Sequence, residues 1–298
     1  MAADGPPAGG PALGAPSLAD ELAGNDALAL GDATGPGHVA RAWSTVWPKL
    51  AAVGLALVAW QIVVWGHWKP DYVLPGPGAV LRRLGGDLGT SELWRAIGTT
   101  MRRALTGYLL AAVVGTALGV GVAQSQALRS AVGSLITGLQ TMPSIAWFPL
   151  AIVLFRLSEP AILFVIVIGA APSIANGVVG GVDHVPPLLL RGGRMLGAHG
   201  LGLWRHVVLP AALPSLVGGL KQGWAFAWRS LMAGELVVLV PGHPSLGAGL
   251  DYDRSSSDYV GLLELMIVIL VIGLVVDTVF AAADDHLRRG RGLIEARG

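Results

Sequence analysis

What most constrains this chain is a series of long apolar runs from which charge is almost wholly excluded. Leu50 to Gly66, Ala104 to Leu128, Ser130 to Phe155 and Pro160 to Val182 contain no Asp, Glu, Lys or Arg. Two later runs are apolar but interrupted. Val207 to Val240 carries Lys221, Arg229 and Glu235, and Val260 to Ala283 carries Glu264 and Asp277. About 20 mostly apolar residues cross the ~30 Å hydrocarbon core as a helix, whereas a barrel strand needs only about 9–11. Lipid offers no partner to a bare backbone, so runs of this length are helices. The runs predict an all-α membrane protein with six transmembrane helices. Charged residues make up 13% of the 298, against about 25% in a soluble domain. A net charge of +1 gives nucleic acid no electrostatic hold. The lack of cysteine excludes disulfides and Cys-ligated zinc.

The ends of the chain differ from its middle. Residues 1–47 are rich in Ala, Gly and Pro, with Asp4, Asp20, Glu21, Asp26 and Asp32 and no basic residue before Arg41. A signal peptide starts basic and then turns apolar, so this segment is expected to be a disordered, acidic cytoplasmic tail. Residues 48–285 are expected to form the transmembrane domain, and 286–298 a basic cytoplasmic tail. With both termini inside, ten Lys and Arg residues lie in cytoplasmic segments and eight outside, the orientation favoured by the positive-inside rule. Much of the outside charge falls in residues 67–103, whose mixture of Trp, Leu and Arg predicts a helix lying along the interface.

Several catalytic signatures are missing. Lys49, Lys69 and Lys221 are the only lysines and none follows a glycine, which excludes a phosphate-cradling Gly-Lys-Ser/Thr loop. There is no H-E-x-x-H and no G-x-S-x-G, and the histidines are dispersed, so neither a metal site nor a hydrolase site is expected. G-x-x-x-G pairs such as Gly115/Gly119, Gly177/Gly181 and Gly219/Gly223 occur at about the frequency the glycine content produces by itself.

Residues 185–210 are different. Pro186-Pro187 suits a helix start; Leu188, Leu189, Leu190 and Leu196 alternate with Arg191 and Arg194, and Gly197 and Gly200 close the segment. The pattern predicts a short helix parallel to the membrane, followed by a turn, either as a docking element or as a plain amphipathic connector. Gly197, nine further residues and then Val207-Val208-Leu209-Pro210 resemble the EAA loop of ABC importer permeases, E-A-A-x(3)-G-x(9)-I-x-L-P. Leu74-Pro75-Gly76-Pro77, the run Pro143 to Leu150, Leu209 to Pro214, and Trp228-Arg229 with Glu235 are similar to motifs of the sulfonate, nitrate and taurine branch of that family. The sequence departs from the pattern at Arg191-Gly192-Gly193, where Glu-Ala-Ala would stand, and at Gly234.

The resemblance implies a type I ABC importer permease fold in the plasma membrane, working as a homodimer. It also implies two cytoplasmic ATPase subunits, which hold ATP and Mg, and an extracytoplasmic substrate-binding protein. The chain itself would bind no cofactor and perform no covalent chemistry. Leu188, Leu189, Leu190, Arg191, Gly192, Gly193, Arg194, Leu196, Gly197, Leu209 and Pro210 would then form the coupling element. The translocation path is expected along Gln140, Met142, Pro143, Trp147, Trp224, Trp228, Arg229 and Glu235. Arg229 is read as a cation for a passing anion or, alternatively, as half of an ion pair between spans. An aliphatic sulfonate is the expected cargo, with taurine or nitrate as alternatives. An ion-coupled secondary transporter is the rival class, but it would need inverted repeats, and the halves do not pair.

Overall fold

The computed structural model describes residues 38–289, and the expectations for the two tails lie outside or at the margin of these. The described residues divide after Ile62 into two units, each treated by itself. The first holds most of helix α1 (His38–Trp65), whose interior Pro48 lies below an apolar portion, Leu50–Trp65. That portion alone falls short of the ~20 residues of a full crossing.

The second unit is all helix among its described regular elements. It runs α2 (Pro77–Asp87), α3 (Ser91–Ala123), α4 (Gln126–Thr141), a 3-10 turn (Ser144–Trp147), α5 (Phe148–Phe155) and α6 (Glu159–Asp183). There follow α7 (Pro187–Met195), a single turn at Gly200–Leu203, a π-helical turn at Trp204–Val208, α8 (Leu209–Val237), α9 (Leu246–Ser256) and α10 (Tyr259–Arg289). Four continuous helices are long and apolar enough to span a membrane: Ser91–Ala123, Glu159–Asp183, Gly200–Val237 and Tyr259–Asp285.

The third expected span is not continuous. Pro143 lacks an N–H and disfavours helix in the residue before it, and Met142 accordingly sits in extended conformation at ψ 131°. The two halves meet at 103°. The interfacial helix expected across 67–103 is also revised. Only Pro77–Asp87 forms a separate short helix, while Arg95, Arg102 and Arg103 belong to α3, which begins at Ser91.

Helix α6 is the centre of the unit and packs along α3 on one side and α8 on the other. Ile162, Val165, Ile166, Ala170, Ile174 and Ala175 have no exposed surface at all. Small residues set these separations. A Cβ on Gly177 would lie 2.5 Å from the Gly219 Cα, and one on Gly115 would meet the Ala171 carbonyl oxygen at the same distance. The G-x-x-x-G pairs, uninformative by number, thus fall where backbones touch.

Ionic ties cross the unit. Arg103, which is 2% exposed, donates to Glu159 at the start of α6 (Nη2, 2.7 Å) and to Glu235 near the end of α8 (Nη1, 3.0 Å). Glu235 is wholly buried and also accepts from Thr100 Oγ1 (2.9 Å) and the Gly247 amide (3.1 Å). Arg129 pairs with Asp183, joining α4 to α6.

Candidate functional site

Two regions bear on function, the first being the connection between α6 and α8. Pro187 stands in the first turn of α7, where its missing N–H costs nothing. The helix stops in a Schellman arrangement: the Ala198 amide donates to the Gly193 carbonyl (3.0 Å) and the Gly197 amide to the Arg194 carbonyl (3.0 Å). Gly197 takes φ +84°, open to glycine at little cost. Just downstream, Pro210 supplies no N–H to the turn before it, and the chain widens there into a π turn at Trp204–Val208 before entering α8.

The phase of α7 is fixed by Gly193. It is buried, and a Cβ there would lie 2.9 Å from both Leu203 Cδ1 and Val207 Cγ2. Leu190 turns towards the protein and is half-buried. The opposite face presents Leu188, 78% exposed, Arg191, and Met195, 85% exposed. Residues at i, i+3 and i+7 share a face, a signal that could have added Met195 to the expected set. Leu189, Arg194 and Leu196 are also exposed.

The second region surrounds Arg229. A cavity of about 540 Å³ between α8 and α10 is lined by Trp224, Trp228, Met232, Leu270, Asp277 and Arg229, among others. A second, of about 290 Å³, is lined by Gln140, Met142, Pro143, Gly169, Phe226 and Arg229. Arg229 therefore borders both. Its guanidinium carbon lies 5.7 Å from the Phe226 ring centroid, and among the described residues no carboxylate pairs with it. The interspan ion pair considered for Arg229 belongs instead to Lys221, whose Nζ is 3.3 Å from Asp277 Oδ1. Trp224 is held by edge contact with Tyr108 (5.3 Å) and by stacking on Trp228 (6.2 Å). Gln140 accepts from Asn176 Nδ2 at 2.8 Å, a polar tie between α4 and α6 with no sequence motif of its own.

Two expected path residues lie elsewhere. Glu235 is enclosed in the Arg103 network and reaches neither cavity. Trp147 packs against the core around α6. Glu264, which interrupts the last apolar run, is 2% exposed, with Arg83 Nε 3.6 Å from its Oε2. Around it, outside the spans, the Asp87 hydrogen bond holds the Arg83 guanidinium above its ordinary pKa despite partial burial. Burial, helped by nearby Asp258, pushes the Asp253 carboxyl up.

Spanning helices, an arginine that borders two cavities and an exposed helical elbow are thus combined in one chain. In fold, 66% of the chain superposes on 95% of a chain from the inward-facing MetNI methionine ABC transporter, with a TM-score of 0.54 and 23% identity. Residues 93–289 match the family described as binding-protein-dependent transport system inner membrane component, and the chain belongs to that family. Among relatives, a provisionally assigned ABC transporter permease protein of Methanocaldococcus jannaschii is 34% identical over 239 residues, 77% of this chain and 86% of that one. The nitrate import permease protein NrtB of Synechocystis sp. is 28% identical, covering 75% of this chain and 82% of its own length. The taurine transport system permease protein TauC of Escherichia coli is 25% identical, covering 65% and 72%. The chain is thus a multi-pass inner-membrane permease subunit of an ABC importer, and ATP is hydrolysed by separate subunits.

Proposed function

We propose that this permease conducts a small oxyanion inward and that its cargo is an aliphatic sulfonate. The observation that carries the reading is Arg229, a cation within a spanning helix that has no carboxylate partner among the described residues and that borders two cavities. An ionisable group at membrane depth belongs to a bundle interior or an aqueous path, and a lone guanidinium offers planar, paired donors to an oxyanion. The larger cavity beside it is walled by Trp224, Trp228, Met232 and Leu270, which suits an alkyl tail. A sulfonate has both a head and a tail, whereas nitrate has no tail to place there. Taurine, named for one relative, is itself an aminosulfonate.

In this reading two copies of the chain flank the path, with both termini in the cytoplasm. Two ATPase subunits, holding ATP and Mg, receive the α7 elbows, and a binding protein delivers the anion from outside. Closure of the ATPases moves α7, and the rigid joint through Gly193, the π turn and Pro210 passes that motion to α8. The test is uptake of labelled alkanesulfonate into proteoliposomes containing the permease, its ATPase and its binding protein. Arg229→Met should abolish uptake at normal membrane expression, and Arg229→Lys should restore part of it. Full uptake by Arg229→Met, or loss of expression rather than uptake, would refute the role of Arg229. Nitrate import with no response to alkanesulfonates would refute the cargo.

A further inference from the structure

We infer that the partner surface receiving α7 is an acidic groove, with carboxylates placed to meet Arg191 and Arg194. The inference rests on reading α7 as the ATPase-docking helix and says which chemistry that ATPase must present. From His184 to Gly234 the chain has no Asp or Glu. Asp183, just before this stretch, is occupied by Arg129. Arg191, Arg194 and Arg205 are all exposed there, and no ion pair engages them among the described residues. The elbow therefore offers only positive charge, and its complement is negative.

The arrangement also separates a protein partner from a lipid surface. A helix that lies in a membrane interface keeps its apolar and charged faces opposed. On α7 the side turned away from Arg191 and Arg194 holds Gly193, which is buried against Leu203 and Val207. The chain itself thus covers much of the side that a lipid surface would take up, and the arginines face outward beside Leu188 and Met195. A groove with an apolar wall for Leu188 and Met195 and a carboxylate beside it accepts this face, and the bidentate match of guanidinium to carboxylate fixes the register. The rigid seating of α7 through Gly193 keeps that face presented.

The test uses the full permease in detergent with its purified ATPase, measuring the dissociation constant at low and high salt. Association should weaken as salt rises, and the Arg191→Glu/Arg194→Glu variant should bind at least about tenfold more weakly, while Arg191→Lys, which keeps the charge but loses the paired donors, should fall between the two. Reversing the facing partner carboxylate to Arg should restore binding to the Glu variant. Unchanged or tighter binding by the Glu variant overturns the acidic groove. If Leu188→Asp/Met195→Asp still abolishes binding in that case, α7 docks on the ATPase and only the charge assignment has failed. If neither variant affects the ATPase, the docking reading itself has failed. Loss of affinity of the Glu variant for vesicles of phosphatidylglycerol, with ATPase binding intact, would overturn the inference in favour of lipid.

Discussion

Arg103→Met tests whether the ionic network, rather than apolar contact alone, locks α3 to α8. The substitution deletes donors to Glu235 (3.0 Å) and to Glu159 (2.7 and 3.1 Å). It leaves the Glu235 carboxylate wholly buried, with only Thr100 and the Gly247 amide as partners. Removing one member of a buried pair costs roughly 3–5 kcal/mol, because the other charge is stranded. Glu235→Gln removes the stranded charge instead, keeps an acceptor for Thr100, and leaves Arg103 on Glu159, so its cost should be about 1–2 kcal/mol. The double variant should then be less destabilised than the two single costs added together, with a coupling of about 1–3 kcal/mol. Denaturant unfolding of the detergent-solubilised protein supplies the assay, with fluorescence from its 10 tryptophans as the signal. A single-variant cost for Arg103→Met below about 1 kcal/mol would refute the reasoning. So would strictly additive behaviour, since it would show that the two side chains do not share a buried interaction.

Other outcomes follow from other contacts. Gly177→Leu should destabilise the unit by at least about 1–3 kcal/mol through overpacking against Gly219, whereas Gly180→Leu, with nothing within 4 Å of its Cβ, should be nearly neutral in the same assay. Gly197→Val forces a β-branched residue to φ +84° and should lower ATPase association and transport-stimulated hydrolysis, whereas Gly197→Asn, which tolerates that region, should keep both. The Asp253 carboxyl has a folded pKa above its ordinary 3.8. Its ionisation therefore works against the fold at neutral pH and not below the ordinary value. Asp253→Asn should raise the unfolding midpoint at pH 7, with the gain shrinking as pH falls towards 3.8; a gain that grows in acid would reverse the sign of the argument.

The parts of this fold legible in the sequence are those decided by local chemistry. Charge exclusion over 160–182 and 104–123 reports helices that cross a membrane, because the cost of a buried charge acts residue by residue. Gly197 likewise marks a stop, since it tolerates positive φ, whereas the helix leading into the next span begins before Pro210, at Gly200, and runs on through the π turn. What escaped was pairing across distance. Arg103 and Glu235 stand 132 positions apart; on their own spans, one reads as an interfacial charge and the other as a path residue. Only the approach of α3 to α8 makes them partners. Lys221 and Arg229 are cations eight positions apart on one helix, and the sequence singles out only Arg229, as a path cation or half of an ion pair. Asp277 on α10 reaches the first and not the second.

The same distinction explains the elbow. Leucines at 188, 189 and 190 are equivalent by composition, and their directions depend on which side of α7 meets the rest of the chain. The deciding residue is Gly193, where the absence of a side chain lets Leu203 and Val207 approach. That contact turns Leu190 inwards and leaves Leu188, Arg191 and Met195 pointing out. Gly193 also stands where the family pattern has its second alanine, so the departure tightens the joint between α7 and the turn before α8. In the coupling role proposed for it, α7 needs stiffness at that joint more than helix propensity along its own length. Gly192, with no atom near its missing Cβ, brings no such contact and carries only the roughly 1 kcal/mol cost of glycine in a helix. The two glycines of one motif thus act differently: one shapes the joint, and the other loosens the helix beside the outward-facing Arg191.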